Sequence, residues 1–219
     1  MKRDLLLAAI AGAVMLSRPS LAQSPDTHEH RFHDSDKWAK VFDDPARDAW
    51  QKPHEVIMAF ALAPDAIVAD IGSGTGYFAA RLAHRVPNGR VYGVDTEPDM
   101  VKHLAERAKR EGLTNLFSLS GAPDDPRLPA KVDLILMVDV YHHIADRETY
   151  FRKLQGSLKP AGRIAIIDFK EGSPMGPPKR ERISAERVRS ELGRAGYSIV
   201  EEHDFLPNQY FLLFGQVKR

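Results

Sequence analysis

The chain has no cysteine among its 219 residues. This absence excludes disulfide bonds, zinc sites built on thiolates, cysteine nucleophiles and a lipid-modified N-terminal cysteine. An excess of charge of one sign is also absent, since 31 Lys and Arg stand against 30 Asp and Glu. This near-equal number of positive and negative residues gives no sign of a basic surface for nucleic acid or an anionic membrane. We therefore expect no nucleic-acid partner. The length suits one domain with one core.

Only one long apolar run is present, over residues 5–16, after the short basic start MKRD. The small residues Ser20 and Ala22 follow it. A basic start, a short apolar run and a small-residue end are the parts of a secretory signal peptide, and the run is short for a membrane span of about 20 residues. We predict cleavage after Ala22, export to the periplasm and no stable membrane insertion. A buried helix or an uncleaved anchor is the alternative, and without a signal the protein would be cytoplasmic.

Residues 23–53 are polar and aromatic and carry three prolines. The pattern predicts short helices over residues 35–42 and 45–51. A segment of this kind before a nucleotide-binding core often packs over the ligand cleft, so we interpret residues 23–53 as a lid. The main domain is then residues 54–219.

Three histidines, His28, His30 and His33, lie close together in the lid with two acidic residues. Imidazoles bind transition metals, so an exported metal-binding protein is one alternative function. The spacing is not that of a helical zinc motif, and solvated side chains are the simpler interpretation. We therefore assign no metal site.

Beyond residue 53, short apolar runs alternate with amphipathic segments. This alternation predicts an α/β fold with a doubly wound, mostly parallel seven-stranded sheet covered on both faces. The link between the last two strands is too short for a parallel crossover, which predicts an antiparallel C-terminal hairpin. The predicted strands are residues 66–71, 90–94, 116–120, 132–138, 163–168, 198–202 and 209–217, and the predicted helices are 54–62, 77–86, 98–111, 146–158 and 184–195.

The most specific motif is ADIGSGTGYF over residues 69–78, between a predicted strand and a predicted helix. Glycines let the backbone turn tightly and approach a ligand, and the helix N-terminus offers N–H groups to an anion. Gly72, Gly74 and Gly76 are spaced G-x-G-x-G, whereas dinucleotide-binding turns favour G-x-G-x-x-G. The spacing favours another ligand and leaves a nicotinamide-dependent oxidoreductase as an alternative.

An acidic residue, Asp95, lies at the end of the next predicted strand, about 20 residues beyond the glycine turn. A carboxylate at this place can accept hydrogen bonds from two ribose hydroxyls. Thr96 follows directly. An ordinary helix-capping aspartate is the alternative, and the glycine turn favours the ribose role.

The glycine turn with its acidic leader Asp70 resembles motif I of the class I S-adenosylmethionine-dependent methyltransferases. The resemblance extends over about residues 53–217 and includes the turn LKPAGR before the fifth strand. It implies a Rossmann-like form of the fold, S-adenosylmethionine as cofactor and a small-molecule acceptor. The chain lacks the cysteines with which the arsenite methyltransferases bind arsenic. It also lacks the Asn-Pro-Pro-Tyr type of motif of methyltransferases that act on nucleobases and amides. Arsenite methylation through cysteines and methylation of nucleobases or amides are therefore not expected.

The resemblance also implies roles for individual residues. The turn would wrap the methionine end of the cofactor, with Asp70 serving the amino group. The loop after the third strand would border the adenine through Ala122 or Asp124, although its acidic residues come late. The implied cofactor-binding residues are Asp70, Gly72, Ser73, Gly74, Gly76, Asp95, Thr96, Ala122 and Asp139.

Tyr141, His142 and His143 follow the fourth strand, where the strand order should reverse and ligands bind. Histidine is the commonest general base, so these residues are the catalytic candidates. Neighbouring side chains of an extended segment point opposite ways, so we expect His142 to face the cleft and His143 the protein. Structural roles for both are the alternative. A non-catalytic S-adenosylmethionine-binding protein would have the same fold, and the sequence leaves the acceptor and the oligomeric state open.

Overall fold

The computed structural model describes residues 35–217. The predicted signal peptide and His28, His30 and His33 lie outside the described residues. The seven strands of the described part form one sheet in the order β3-β2-β1-β4-β5-β7-β6. They are β1 Ile67–Ile71, β2 Arg90–Asp95, β3 Leu116–Ser120, β4 Val132–Val138, β5 Leu158–Phe169, β6 Tyr197–His203 and β7 Gln209–Gln216.

Strands β1 to β5 pair in parallel, whereas β7 pairs antiparallel with both β5 and β6. The α/β fold, its mostly parallel sheet and its antiparallel C-terminal hairpin are therefore confirmed. The helices are α1 Ser35–Phe42, α2 Asp48–Gln51, α3 Pro53–Ala59, α4 Tyr77–Arg85, α5 Pro98–Arg110, α6 Arg147–Leu154 and α7 Ala185–Arg194. None of the helices within residues 35–217 is long and apolar enough to cross a membrane.

The core consists of two apolar layers, one on each face of the sheet. Residues 134–138 of β4 are continuously apolar because the strand is covered on both faces: Leu134 and Leu136 pack into one layer, and Ile135 and Met137 into the other. A strand covered on both faces needs apolar side chains at every position. The sheet is thus a rigid platform for the loops at its ends.

The region between α6 and β5 differs from the sequence-based prediction. The predicted helix over residues 146–158 ends at Leu154, and the strand predicted from residue 163 begins at Leu158. Leu158 is buried and pairs with Val132, and the register then shifts before Arg163 meets Leu134. This tertiary pairing draws the apolar end of the predicted helix into the sheet.

The strand order reverses between β1 and β4, which lie side by side as predicted. In the paired register, Ile71 of β1 meets Met137 of β4. The connections from these strands run to opposite sides, which opens a crevice at their carboxyl ends. Ligands of open α/β sheets bind at such a crevice.

Candidate functional site

The glycine turn after β1 adopts a backbone that favours glycine. The φ angles of Gly72, Gly74 and Gly76 are +70°, +52° and +89°, in the left-handed region that other residues rarely adopt. The N–H groups of Gly72 and Ser73 both donate to the carbonyl oxygen of Val94, at 2.8 and 3.0 Å. The turn is therefore fixed to the end of β2.

Asp95 joins the end of β2 to this turn. Its Oδ2 accepts a hydrogen bond from the N–H of Gly74 at 2.8 Å, and its Oδ1 accepts one from the N–H of Glu97 at 3.0 Å. Burial raises the pKa of the Asp95 carboxyl group, against these hydrogen bonds. Thr96 lies beside it with an exposed side chain. Asp95 thus shapes the turn, a contribution that the ribose role alone did not predict.

Asp70 precedes the turn and is only 3% exposed. Burial raises the pKa of its carboxyl group to about 7, while the nearby charge of Arg47 lowers it and that of Asp95 raises it. A buried acid with so little compensation is a suitable partner for a cationic group of a ligand.

The loop after β3 uses its polar groups internally. Ala122 and Asp125 exchange backbone hydrogen bonds of 2.7 and 3.1 Å. The carboxylate of Asp124 accepts a hydrogen bond from Nζ of Lys153 at 3.2 Å. The structure therefore gives protein partners to the N–H of Ala122 and to Asp124, both of which the sequence had suggested for the adenine.

Asp139 stands directly after β4 with a φ of +59°, which is uncommon for a residue other than glycine. Its N–H donates to the carbonyl oxygen of Ile167 at 2.9 Å, and its Oδ1 accepts from Nε2 of Gln209 at 2.6 Å. Burial, with the charge of Asp168, raises the pKa of its carboxyl group to about 7. Strained backbone of this kind is often found at functional sites.

His142 is held by a carboxylate that the sequence analysis did not name. Its Nδ1 lies 2.8 Å from Oδ2 and 3.1 Å from Oδ1 of Asp168, near the end of β5, and both side chains are buried. Burial lowers the pKa of His142, but the hydrogen bond and charge of Asp168, with the charges of Asp139 and Glu181, raise it overall. Because Nδ1 donates to the carboxylate, Nε2 carries the lone pair that can accept a proton.

The reason given for preferring His142 over His143 is wrong. Residues Tyr141–His143 form a 3-10 turn, not an extended segment, and the two imidazole rings lie 4.1 Å apart. The N–H of His143 donates to the carbonyl oxygen of Val140 at 2.9 Å. What distinguishes His142 is its bond to Asp168.

Tyr141 has its hydroxyl group bound within the protein core. Its side chain is fully buried, and its hydroxyl donates to Glu191 of α7, which also accepts from Arg147 at 2.6 Å. The candidate catalytic role of Tyr141 is corrected accordingly, because its polar atom belongs to a buried ion pair of the core.

Residues 35–52, which we call the cover segment, pack on the glycine turn. The ring of Phe42 lies against the turn at Gly74. A β-carbon at this glycine would be only 3.5 Å from the ring. Asp43 pairs with Nη1 of Arg107 at 3.0 Å, and the same Nη1 donates to the carbonyl oxygen of Thr75. The cover segment thus contacts both the turn and α5.

A second set of contacts joins α2 to α4. The hydroxyl of Tyr77 donates to Asp48, which also accepts from Nη2 of Arg81 at 3.1 Å. The guanidinium groups of Arg47 and Arg81 lie 4.0 and 4.1 Å from the centre of the Tyr77 ring. Cation–π contacts and hydrogen bonds together hold the cover segment closed.

A chain of hydrogen bonds then leads from the cover segment to the crevice. Nε of Arg47 donates to Oε1 of Gln51 at 3.0 Å, Nε2 of Gln51 donates to Oε1 of Gln209 at 2.5 Å, and Gln209 donates to Asp139. Both glutamines are fully buried. Because a guanidinium only donates, it fixes the orientation of each amide in turn.

Asp168, Gln51 and Gln209 are the functional candidates that sequence reasoning missed. Asp168 could have been found, since the carboxyl ends of parallel neighbouring strands meet at one edge. No sequence pattern indicated a role for the two glutamines, because these two hydrogen-bond partners are 158 residues apart along the chain. Within the part of the chain that the structure describes, no group of three or more acidic or imidazole side chains is placed to hold a metal ion.

Comparison with known proteins places these features in a family context. Residues 69–164 match the family model described as "Methyltransferase domain". The chain is 30% identical over 116 residues to an arsenite methyltransferase of Halobacterium salinarum, across 52% of this chain and 30% of that protein. It is 25% identical over 174 residues to a trans-aconitate 2-methyltransferase of Rhodopseudomonas palustris, across 74% of this chain and 64% of that protein. The chain therefore spans less than two thirds of the length of either relative.

A solved structure gives a fuller match. The chain resembles a SAM-dependent methyltransferase from Aquifex aeolicus with a TM-score of 0.76 and 28% sequence identity, over 83% of this chain and 97% of that one. The fold is thus similar to that of the Aquifex aeolicus protein, and residues 69–164 form a methyltransferase domain.

Proposed function

We propose that this chain, which carries a methyltransferase domain, transfers the methyl group of S-adenosylmethionine to a small-molecule acceptor. The observation that supports this best is the buried His142–Asp168 pair at the crevice that also holds the glycine turn. A general base and a cofactor-binding turn at one sheet edge are what methylation of a protonated acceptor requires.

The residues of the turn fit this cofactor. The hydroxyls of Ser73 and Thr75 are buried and have no hydrogen-bond partner among the described residues. Asp70 is a buried acid able to pair with an amino group, and the glycines leave the backbone open to close approach. We propose that Asp70, Gly72, Ser73, Gly74 and Gly76 hold the methionine end.

Asp95 and Thr96 would hold the ribose, and Ala122 would border the adenine. When bound, S-adenosylmethionine supplies a methyl group on a positively charged sulfur. The ribose role requires the carboxylate of Asp95 to accept from the ligand in addition to the N–H groups of Gly74 and Glu97. Each carboxylate oxygen has more than one lone pair, so both roles are compatible.

His142 acts as the base in this proposal. Nε2 takes the proton of the acceptor's hydroxyl as that oxygen gains the methyl group. Asp168 fixes the imidazole tautomer and stabilises the imidazolium that forms. His143, with its ring against that of His142, would support the orientation of the base. The remaining contribution of the protein is alignment of the two reactants.

The acceptors named for the two curated relatives are not proposed for this chain. Arsenite is disfavoured because the chain has no cysteine to bind it. A polycarboxylate such as trans-aconitate is disfavoured because its carboxylates would lie beside Asp139 and Asp168, and the charge of Asp168 already raises the pKa of Asp139. We therefore propose an uncharged or cationic small molecule.

We also propose export, on the basis of the basic start, the apolar run and the small residues Ser20 and Ala22. Protein recovered from its native host should then begin at Gln23. Intact-mass measurement checks this directly, and a full-length chain that retains Met1 would contradict it.

The methyl transfer is tested with purified protein and S-adenosylmethionine carrying a labelled methyl group, added to a small-molecule extract of the native host. Mass spectrometry should show a compound that gains the label with wild-type protein and not with His142→Ala. Binding of the cofactor without any labelled compound would instead indicate a non-catalytic binding protein.

A further inference from the structure

The acceptor side of the crevice has an excess of carboxylate. Asp139 and Asp168 lie close enough that the charge of Asp168 raises the pKa of Asp139. The charge of Arg47 reaches Asp139, but its guanidinium already donates to Gln51 and to the carbonyl oxygen of Phe42. Asp168 is bonded to His142, whose charge also lowers the pKa of Asp139, so Asp139 is the carboxylate with the least direct compensation.

Most cations of the surrounding loops are bound to other groups. Arg182 shows this most clearly, because its guanidinium donates to five backbone carbonyl groups of the loop over residues 170–177. Further examples are Lys52 on the carbonyl of Phe205, Lys170 on that of Leu206, Arg147 on Glu191 and Arg180 on Glu181. Lys179, which follows this loop, is the exception among these described residues, and it is exposed to solvent. An anionic acceptor would have to compete for each of the bound cations.

The hydrogen-bond chain from Arg47 fixes how Asp139 is presented. Because the amide of Gln209 must donate, Oδ1 of Asp139 is the accepting oxygen. Oδ2 has no hydrogen bond to another described residue, and residue 139 as a whole is partly exposed. One oxygen is thus held by the protein, and the other is available to a ligand.

Tyr210 provides an independent sign of a polar ligand. It occupies the β7 position paired with Asp168, is 5% exposed, and has a hydroxyl without a hydrogen-bond partner among the described residues. Its hydroxyl lies within reach of the charges of Asp168 and Asp139. A buried unpaired hydroxyl costs free energy that a ligand oxygen would recover.

We propose that Asp139 is a specificity-determining residue, and that the acceptor is a hydroxylated small molecule with an ammonium or other hydrogen-bond donor and without a carboxylate. This inference rests on the proposed methyl transfer. It differs from the cofactor role implied for Asp139 by the sequence resemblance. Oδ2 would accept the hydrogen bond of the donor group, while His142 faces the hydroxyl.

The test uses three phenols of similar size that differ in charge: tyramine, 4-ethylphenol and 4-hydroxyphenylacetate. Each is titrated by calorimetry into the wild-type complex with S-adenosylhomocysteine, at a pH above the pKa of about 7 of Asp139, so that this group is ionised. Tyramine should bind at least about tenfold more tightly than 4-hydroxyphenylacetate, with 4-ethylphenol between them, as expected for one partly screened charge contact. Equal binding of tyramine and 4-hydroxyphenylacetate, or no binding of tyramine, would overturn the inference.

Two variants separate the possible outcomes. In Asp139→Asn, which keeps the bond to Gln209, the preference for tyramine should fall to less than about threefold with unchanged affinity for S-adenosylhomocysteine. Asp65→Asn, exposed at the opposite edge of the sheet, should keep the full preference. A loss of S-adenosylhomocysteine affinity in Asp139→Asn would assign the residue to the cofactor and overturn the inference. Failure of wild-type protein to bind S-adenosylhomocysteine would instead contradict the proposed function.

Discussion

Nδ1 of His142 lies 2.8 Å from Oδ2 of Asp168, across the gap between the turn after β4 and the end of β5. Asp168 lies on β5, and His142 lies on the 3-10 turn that follows the parallel neighbour β4, so the sheet and this turn together set their separation. A buried imidazole next to a carboxylate is polarised toward one tautomer. The pair therefore gives the crevice a base with a defined proton-accepting nitrogen.

The pair predicts a pH dependence that needs no acceptor to be measured. Asp168→Asn should lower the pKa of His142, because the hydrogen bond and charge of Asp168 are what raise it against burial. The raised pKa also means that this pair stabilises the fold at low pH and loses its contribution as pH rises through the pKa of folded His142. NMR titration of the His142 imidazole, assigned with His142→Ala, checks the shift. An unchanged or higher pKa in Asp168→Asn would contradict the account.

Asp70 predicts an effect on stability. Its folded-state pKa of about 7 lies above the ordinary value of 3.8. The contribution of protonated Asp70 to the free energy of unfolding is therefore complete below pH 3.8 and is lost as the pH rises through about 7. Without cofactor, Asp70→Asn should therefore be more stable than wild type at pH 8, by up to about 4 kcal/mol, and similar at pH 4. Denaturant unfolding at the two pH values measures this. A less stable Asp70→Asn at pH 8 would show that the carboxylate is compensated.

The cover segment predicts a fluorescence change. The chain has two tryptophans, Trp38 and Trp50, and both lie in this segment. Asp48→Ala removes the acceptor of Tyr77 and Arg81, a loss of about 1 kcal/mol that should increase the open population about fivefold. Acrylamide quenching of tryptophan should rise in this variant.

Lys40→Ala is the matched control for the cover segment, because Lys40 is exposed on α1. Its quenching should equal that of wild type. Quenching in Asp48→Ala that matches the control would show that the contacts of Asp48 do not hold the segment closed.

The sequence predicted the sheet and the glycine turn because both depend on local patterns. Continuous apolar runs mark buried strands, and three closely spaced glycines mark a turn with positive φ. The hydrogen-bond partners across the crevice could not be predicted in this way. Gln51 and Gln209 meet only because β7 is inserted between β5 and β6, and no local pattern encodes that order.

Tyr141 and the start of β5 show a second limit of the sequence. Tyr141 is next to the candidate base in sequence, yet the 3-10 turn directs its hydroxyl to Glu191. Residues 155–158, predicted as the end of a helix, form a 3-10 turn and the first residue of β5. Pairing of Leu158 with Val132 overrides the predicted helix.

Cofactor binding is the most direct test of the central claim. Calorimetry with S-adenosylmethionine or S-adenosylhomocysteine should show binding to wild-type protein in the micromolar range, about −8 kcal/mol. Asp95→Ala should weaken it by about 1.5–3 kcal/mol, because a charge-assisted pair of hydrogen bonds is lost. Binding by wild type with that loss in Asp95→Ala is the predicted result, and no detectable binding by wild-type protein would contradict the assignment of this crevice to a methyl donor.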